Sequence, residues 1–198
     1  AEARGRGGAG SGPAALPGDY TVKVKAGARE LTGTVRLTLD PDAQTTPADL
    51  QAQLDASLGM LALSARVNTI IERVDDLTTQ LTALDAVLAR PAAPSATVRA
   101  SIRLALDKLK AFRDDELARP VPGLGYRQYP RLREDVQSIS GGLGRGFRAP
   151  NEGENLRMKE LAELTDKAAA KLNAMIAGDI AKINDAMKGA PRIAADPV

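Results

Sequence analysis

Residues 20–40 read YTVKVKAGARELTGTVRLTLD, and they decide the fold because they obey a period of two. Tyr20, Val22 and Val24 alternate with Thr21, Lys23 and Lys25; Leu31, Gly33, Val35, Leu37 and Leu39 then alternate with Thr32, Thr34, Arg36, Thr38 and Asp40. That period sends successive side chains to opposite faces, so two half-apolar strands flank a bend at Ala26, Gly27 and Ala28. A lone hairpin is marginally stable in water and carries two open edges. The rest of the chain holds no comparable alternation. The pair is therefore expected to borrow strands from another segment or another molecule.

Working outward, hydrophobic residues make up 43% of the 198 while aromatics are only 3%, with no Trp. A core is within reach, and it has to be built from Leu, Ile, Val, Ala and Met, as in packed helices. The absence of Cys and His removes disulfides, thiolate chemistry, imidazole bases and the usual zinc ligands. A net charge of +2 is too mild to point to nucleic acid without local clustering. No apolar run approaches the roughly 20 residues that span a bilayer, so no membrane span is expected. A chain that begins at Ala1 rather than Met is expected to be a processed product or a fragment.

The first 17 residues are rich in Gly, Ala, Arg and Pro, a linker or arm composition that cannot offset its own ordering entropy. If ordered, the arm is expected to lie along a neighbour. The hairpin unit is assigned to residues 18–42, the helical unit to 46–188 and a frayed tail to 189–198. Thr46, Pro47 and Asp49 supply a cap, a first-turn proline and an acid at the start of a long helix. From Met60, the apolar positions Leu63, Val67, Ile70, Val74, Leu77, Leu81, Leu84 and Leu88 alternate three and four residues apart, a heptad seam. Leu50, Leu54, Leu58 and Leu61 extend it backwards with a phase drift. Running to Arg90, this helix would be about 66 Å long. The seam's expected role is packing against the chain's own helices rather than dimerisation.

Ser95 is expected to cap a second helix to about Ala118, with Val98, Ile102, Leu106, Leu109, Phe112 and Leu117 inward. Residues 120–130 read as a loop. A third helix is predicted from Arg131 to about Ser140, broken by Gly141, Gly142, Gly144 and Gly146. A fourth starts at Asn151, with Glu154 completing a capping box, and runs to about Lys188. The fold class is therefore mainly α with a small β part: a hairpin of an incomplete sandwich, then an antiparallel up-and-down four-helix bundle.

Three constellations have chemical potential, and each has a plainer reading. Tyr126, Arg127, Tyr129, Arg131 and Arg133 interleave rings with cations as base-stacking surfaces do, but two tyrosines form a small platform and a solvated loop is the better fit. The glycines from 141 to 146 lack the Lys and Ser/Thr of a phosphate loop. Asp75 with Asp76, and Asp114 with Asp115 and Glu116, lie outside the seam on a solvated face. No nucleophile and base pair is recognisable. No catalytic, cofactor-binding or metal-ligating residue is predicted, and an enzyme is not expected.

The string PGDYTVKVKAGARELTGTVRLTLDPD (17–42), followed by TPADLQAQLDASLGMLALSARVNTIIERVDDLTTQL (46–81), resembles the C-terminal region of large secreted bacterial proteins with sortilin-type or sialidase-like Asp-box propellers. The resemblance covers residues 16–188. It implies a Gly-rich linker, an Ig-like strand pair and a helical bundle, and an extracellular or cell-envelope location. The chain departs from the pattern at 120–130 and 141–146, and it holds no Asp-box. Any hydrolase activity of such proteins would belong to the propeller, so no catalytic residue carries over.

The expectation is a non-catalytic extracellular assembly module whose sheet is completed by a neighbouring chain or segment, giving an oligomer or filament. Its partner would be itself, through Tyr20, Val22, Val24, Leu31, Val35, Leu37 and Leu39. The alternative is an accessory domain that docks on, or positions substrate for, an upstream sialidase-like propeller. Neither reading involves nucleic acid or a cofactor.

Overall fold

Strands β1 (Gly18–Ala26) and β2 (Arg29–Leu37) pair antiparallel, from Gly18 opposite Leu37 to Ala26 opposite Arg29. The computed structural model describes residues 12–89, 96–121, 127–187 and 192–198; Tyr126, Ser95 and the first residues of the arm lie outside them. The turn has two residues. Gly27 sits at its first central position with φ of 61°, the left-handed geometry that both primed hairpin turns need there and that glycine adopts without a Cβ clash. The ladder stops two residues before Leu39, which is half-buried in the connection rather than in the strand. That connection is tied by Asp40, whose carboxylate accepts the Asp42 N–H at 2.9 Å, and by the proline that follows Asp40.

Helix α1 (Pro47–Leu88) begins where the Thr46 side chain accepts the Asp49 N–H at 3.1 Å and the Asp49 carboxylate accepts the Thr46 N–H at 3.0 Å. Its buried face is the heptad seam from Met60 to Leu84. Leu58 and Leu61 do not belong to it; both are exposed. Continuing the three-four rhythm backwards from Met60 lands on Ala56 and Gln53, and it is Gln53 that is buried. Its amide donates to the main-chain oxygens of Leu143 at 2.6 Å and Gly146 at 2.7 Å, closing the end of α3. Gln53→Leu would perfect the apolar pattern, yet it would strand two acceptors. We expect it to cost about 1–2 kcal/mol in urea denaturation.

The four expected helices are present, with a refinement in their course. Helix α2 (Ala96–Phe112) descends along α1, since Arg99 meets Asp85 at 2.9 Å and Arg113 meets Asp75 at 2.6 Å. Helix α3 (Leu132–Leu143) carries on in the same direction to Gln53. Helices α2 and α3 thus run in the same direction along α1. Glu134 fixes the junction by accepting the N–H groups of Arg119 and Arg131, each at 3.1 Å. Helix α4 (Glu152–Met175) returns alongside, with Arg157 on Asp135 and Asp166 on Arg66, and continues into α5 (Ala181–Ala186). Any cross-section thus holds three rods: α1, the broken α2–α3 rod, and α4–α5.

Two π turns adjust the apolar register. Between Phe112 and Leu117, both buried, the spacing is five residues, one more than an α-helix tolerates on one face. The turn at Arg113–Leu117 absorbs it, closed by the Ala118 N–H on the Arg113 oxygen at 2.9 Å. In the last rod Leu172, Ile176, Ile180 and Ile183 stay buried across the wide turn Ile176–Ile180. Four-residue steps would otherwise rotate the stripe off the core.

Helix α3 differs from expectation, because it runs through Gly141 and Gly142 to Leu143. The buried Leu143 side chain and the Gln53 cap outweigh the roughly 1 kcal/mol that each helical glycine costs. Residues 192–198 of the tail are not frayed either, and 189–191 lie outside the described residues. Ile193 is buried against the core and Val198 is half-buried.

At the start of α4, Glu154 accepts the Asn151 N–H at 2.9 Å and both terminal nitrogens of Arg148 at 2.7 Å. The Arg148 guanidinium first, and then the backbone N–H, hold its carboxyl down from about 4.5 to about 2. The folded carboxyl is the stronger acid, so its contribution is complete above the unfolded value and fades as pH falls from about 4.5 towards 2. Glu154→Gln is expected to cost about 1–2 kcal/mol at neutral pH after solvent screening. In urea titrations its deficit should shrink through that acid window.

Candidate functional site

Both faces of the hairpin meet solvent: every one of its strand residues is exposed. The register sorts them. Tyr20 faces Val35, Val22 faces Gly33, and Val24 faces Leu31, with Leu37 beside Tyr20 at the open end. These six large side chains form one continuous apolar face with exposures between 38% and 73%. Gly33 leaves a shallow gap opposite Val22 where a second surface can approach the backbone.

The opposite face is polar and carries two ion pairs of its own. Arg36 donates to both Asp19 oxygens at 2.6 and 2.8 Å, and Lys23 reaches Glu30 at 3.4 Å. The Asp19 carboxyl lies below its usual range because of that guanidinium. The Tyr20 hydroxyl donates to the Leu16 oxygen at 2.7 Å, which seats the preceding segment. Register runs without a slip from turn to end, so no bulge blunts an edge, and neither strand contains proline. Such devices are how sheet proteins protect their margins. Nine residues per strand is also long for an edge.

Of the seven predicted interface residues, Tyr20, Val22, Val24, Leu31, Val35 and Leu37 are brought together. Leu39 is not, for the reason given by the end of the ladder. Among the described residues no helix packs on the hairpin face.

The other constellations are occupied structurally. Arg131 donates to the Asp114 main-chain oxygen at 3.0 Å, Arg133 pairs with Glu134 at 3.1 Å, and the exposed Tyr129 accepts from Arg119 and Arg131 at its main-chain oxygen. Asp75 pairs with Arg113, Asp114 with Lys110, and Glu116 with Lys171. Among the described residues no three acids converge on a point that a metal ion would fill, and no helix is long and apolar enough to cross a membrane. A shallow cavity of about 320 Å³ lies between α1 and α4, lined by Ala56, Gly59, Ala62 and Met158 with Arg66 at its edge; it holds no acid and base pair. The site that sequence reasoning missed is a set of three carboxamides, Gln80, Asn173 and Asn184, around the C-terminal segment. Polar residues on amphipathic helices carry no signal that distinguishes a clamp from a solvated face.

No protein-family model matches the chain, and neither curated proteins nor solved structures show a significant match to it.

Proposed function

We propose that the chain is a non-catalytic assembly module whose hairpin completes a sheet with the hairpin of a second copy, building an oligomer or filament. The observation that carries this is the uncovered apolar face between two edges that neither bulge nor proline interrupts. A second copy suits it well, because the same alternation supplies a matching face and the same unblocked edges. Main-chain bonds would give affinity, and the alternating side chains would fix register. If donor and acceptor surfaces differ, the contact is head-to-tail and propagates. An extracellular or cell-envelope setting goes with this reading.

Light scattering and negative-stain microscopy of the purified chain provide the test. Concentration-dependent oligomers or fibres are expected. A chain that stays monomeric at every concentration would instead place the missing strands in another segment of a longer polypeptide, as an accessory domain requires.

A further inference from the structure

Residues 192–198 lie in a groove between α1 and the α4–α5 rod, and the groove holds their main chain with side-chain amides. Asn184 on α5 accepts the Ile193 N–H at 2.7 Å and donates to the Ile193 oxygen at 3.0 Å. Gln80 on α1 accepts the Ala194 N–H at 2.8 Å and donates to the Ala194 oxygen at 3.1 Å. Asn173 on α4 does the same for Val198, both bonds at 3.0 Å. One carboxamide takes the N–H and the oxygen of a single residue only where those groups point the same way, as they do in extended backbone. Consecutive residues, Ile193 and Ala194, are gripped from opposite sides by different helices. That is what a strand experiences between two neighbours in a sheet.

The contacts read backbone, and side chains enter at few points. Ile193 is buried, Ala195 and Val198 pack partly against the core, and Ala194 and Asp196 face solvent. Asp196 is only loosely paired, with Arg73 at 3.9 Å. A single buried aliphatic anchor and main-chain bonds make a modest hold, and an identical segment from elsewhere would reproduce every contact.

We propose that this groove is a receptor for an extended peptide segment and that its partner in trans is residues 192–198 of a second copy. Exchange of this kind needs no new contact, because each one made within the chain is remade between chains. In dilute solution the tethered segment wins through its effective concentration; copies held side by side would compete on more equal terms. The clamp is separate from the hairpin, and the test keeps them apart by using the Val35→Asp, Leu37→Asp background throughout.

In that background, one chain carries Gln80→Ala, Asn173→Ala and Asn184→Ala, leaving a native segment without a groove. The other carries Ile193→Asp, leaving a native groove without a usable segment. Each alone should be monomeric in light scattering, and the mixture should form a one-to-one complex. No complex from two chains of native helical circular dichroism overturns the proposal. Should the triple variant lose its helical signal, a labelled peptide spanning residues 192–198 decides. It should bind the Ile193→Asp chain roughly tenfold or more tighter than the chain with native Ile193; equal binding to both, or none, overturns the proposal.

Discussion

The Val35→Asp, Leu37→Asp variant is expected to be monomeric at concentrations where the native chain assembles, with its helical circular dichroism unchanged. Six aliphatic and aromatic side chains would be covered on association, on the order of 10 kcal/mol gross before the costs of ordering and lost motion. Losing two of them and burying a carboxylate in place of each removes at least ~4 kcal/mol, roughly a thousandfold in affinity. The free chain tolerates the change far better, since both positions are already solvent-exposed and the apolar face has no helix on it. Thr32→Asp, Thr34→Asp is the matched control. It puts the same two charges on the polar face, opposite Lys23 and Thr21, and should leave assembly near native levels. A Val35→Asp, Leu37→Asp chain that assembles like the native one would remove the apolar face from the function altogether.

The hairpin and the first helix were legible because their periods are long and uninterrupted. Alternation from Tyr20 to Leu37 gave the register's faces, and the three-four rhythm from Met60 to Leu84 gave the buried seam. Boundaries failed where a local rule met a tertiary contact. Gly141 and Gly142 read as a helix break, yet the Gln53 amide and the buried Leu143 side chain keep them helical. Leu58 and Leu61 read as a drifting seam because leucine outweighs glutamine in any hydrophobicity count, while the structure buries Gln53 for its hydrogen bonds. The π turns left a faint mark, the five-residue gap from Phe112 to Leu117. Of the candidate site, the apolar face could be read and the end of the ladder could not, since Leu39 continues the alternation past the last pair. The amide clamp was invisible: Gln80 is far in sequence from Asn173 and Asn184, and only the packing of two rods, α1 and α4–α5, brings the three around one segment.

Leu77→Ala is expected to lower stability by about 3 kcal/mol, within the usual cost of deleting a fully buried leucine side chain. Leu77 has no exposed surface and sits mid-seam, near the level where Asp75 meets Arg113. Backbone relaxation is poor there, because α1 is continuous and packed along its length by α2, α3 and α4 in turn. For a unit of this size the loss corresponds to a fall in Tm of about 6–12 °C. Leu61→Ala, the same chemical change sixteen residues earlier on the exposed side of the helix, should stay within about 0.5 kcal/mol. Thermal melts of the pair therefore test the phase of the seam directly. They also test independence. With no helix on the apolar face among the described residues, Leu77→Ala should assemble like the native chain at temperatures well below its lowered melt. Loss of assembly there, with helical signal intact, would mean that the bundle itself contributes a surface to the contact.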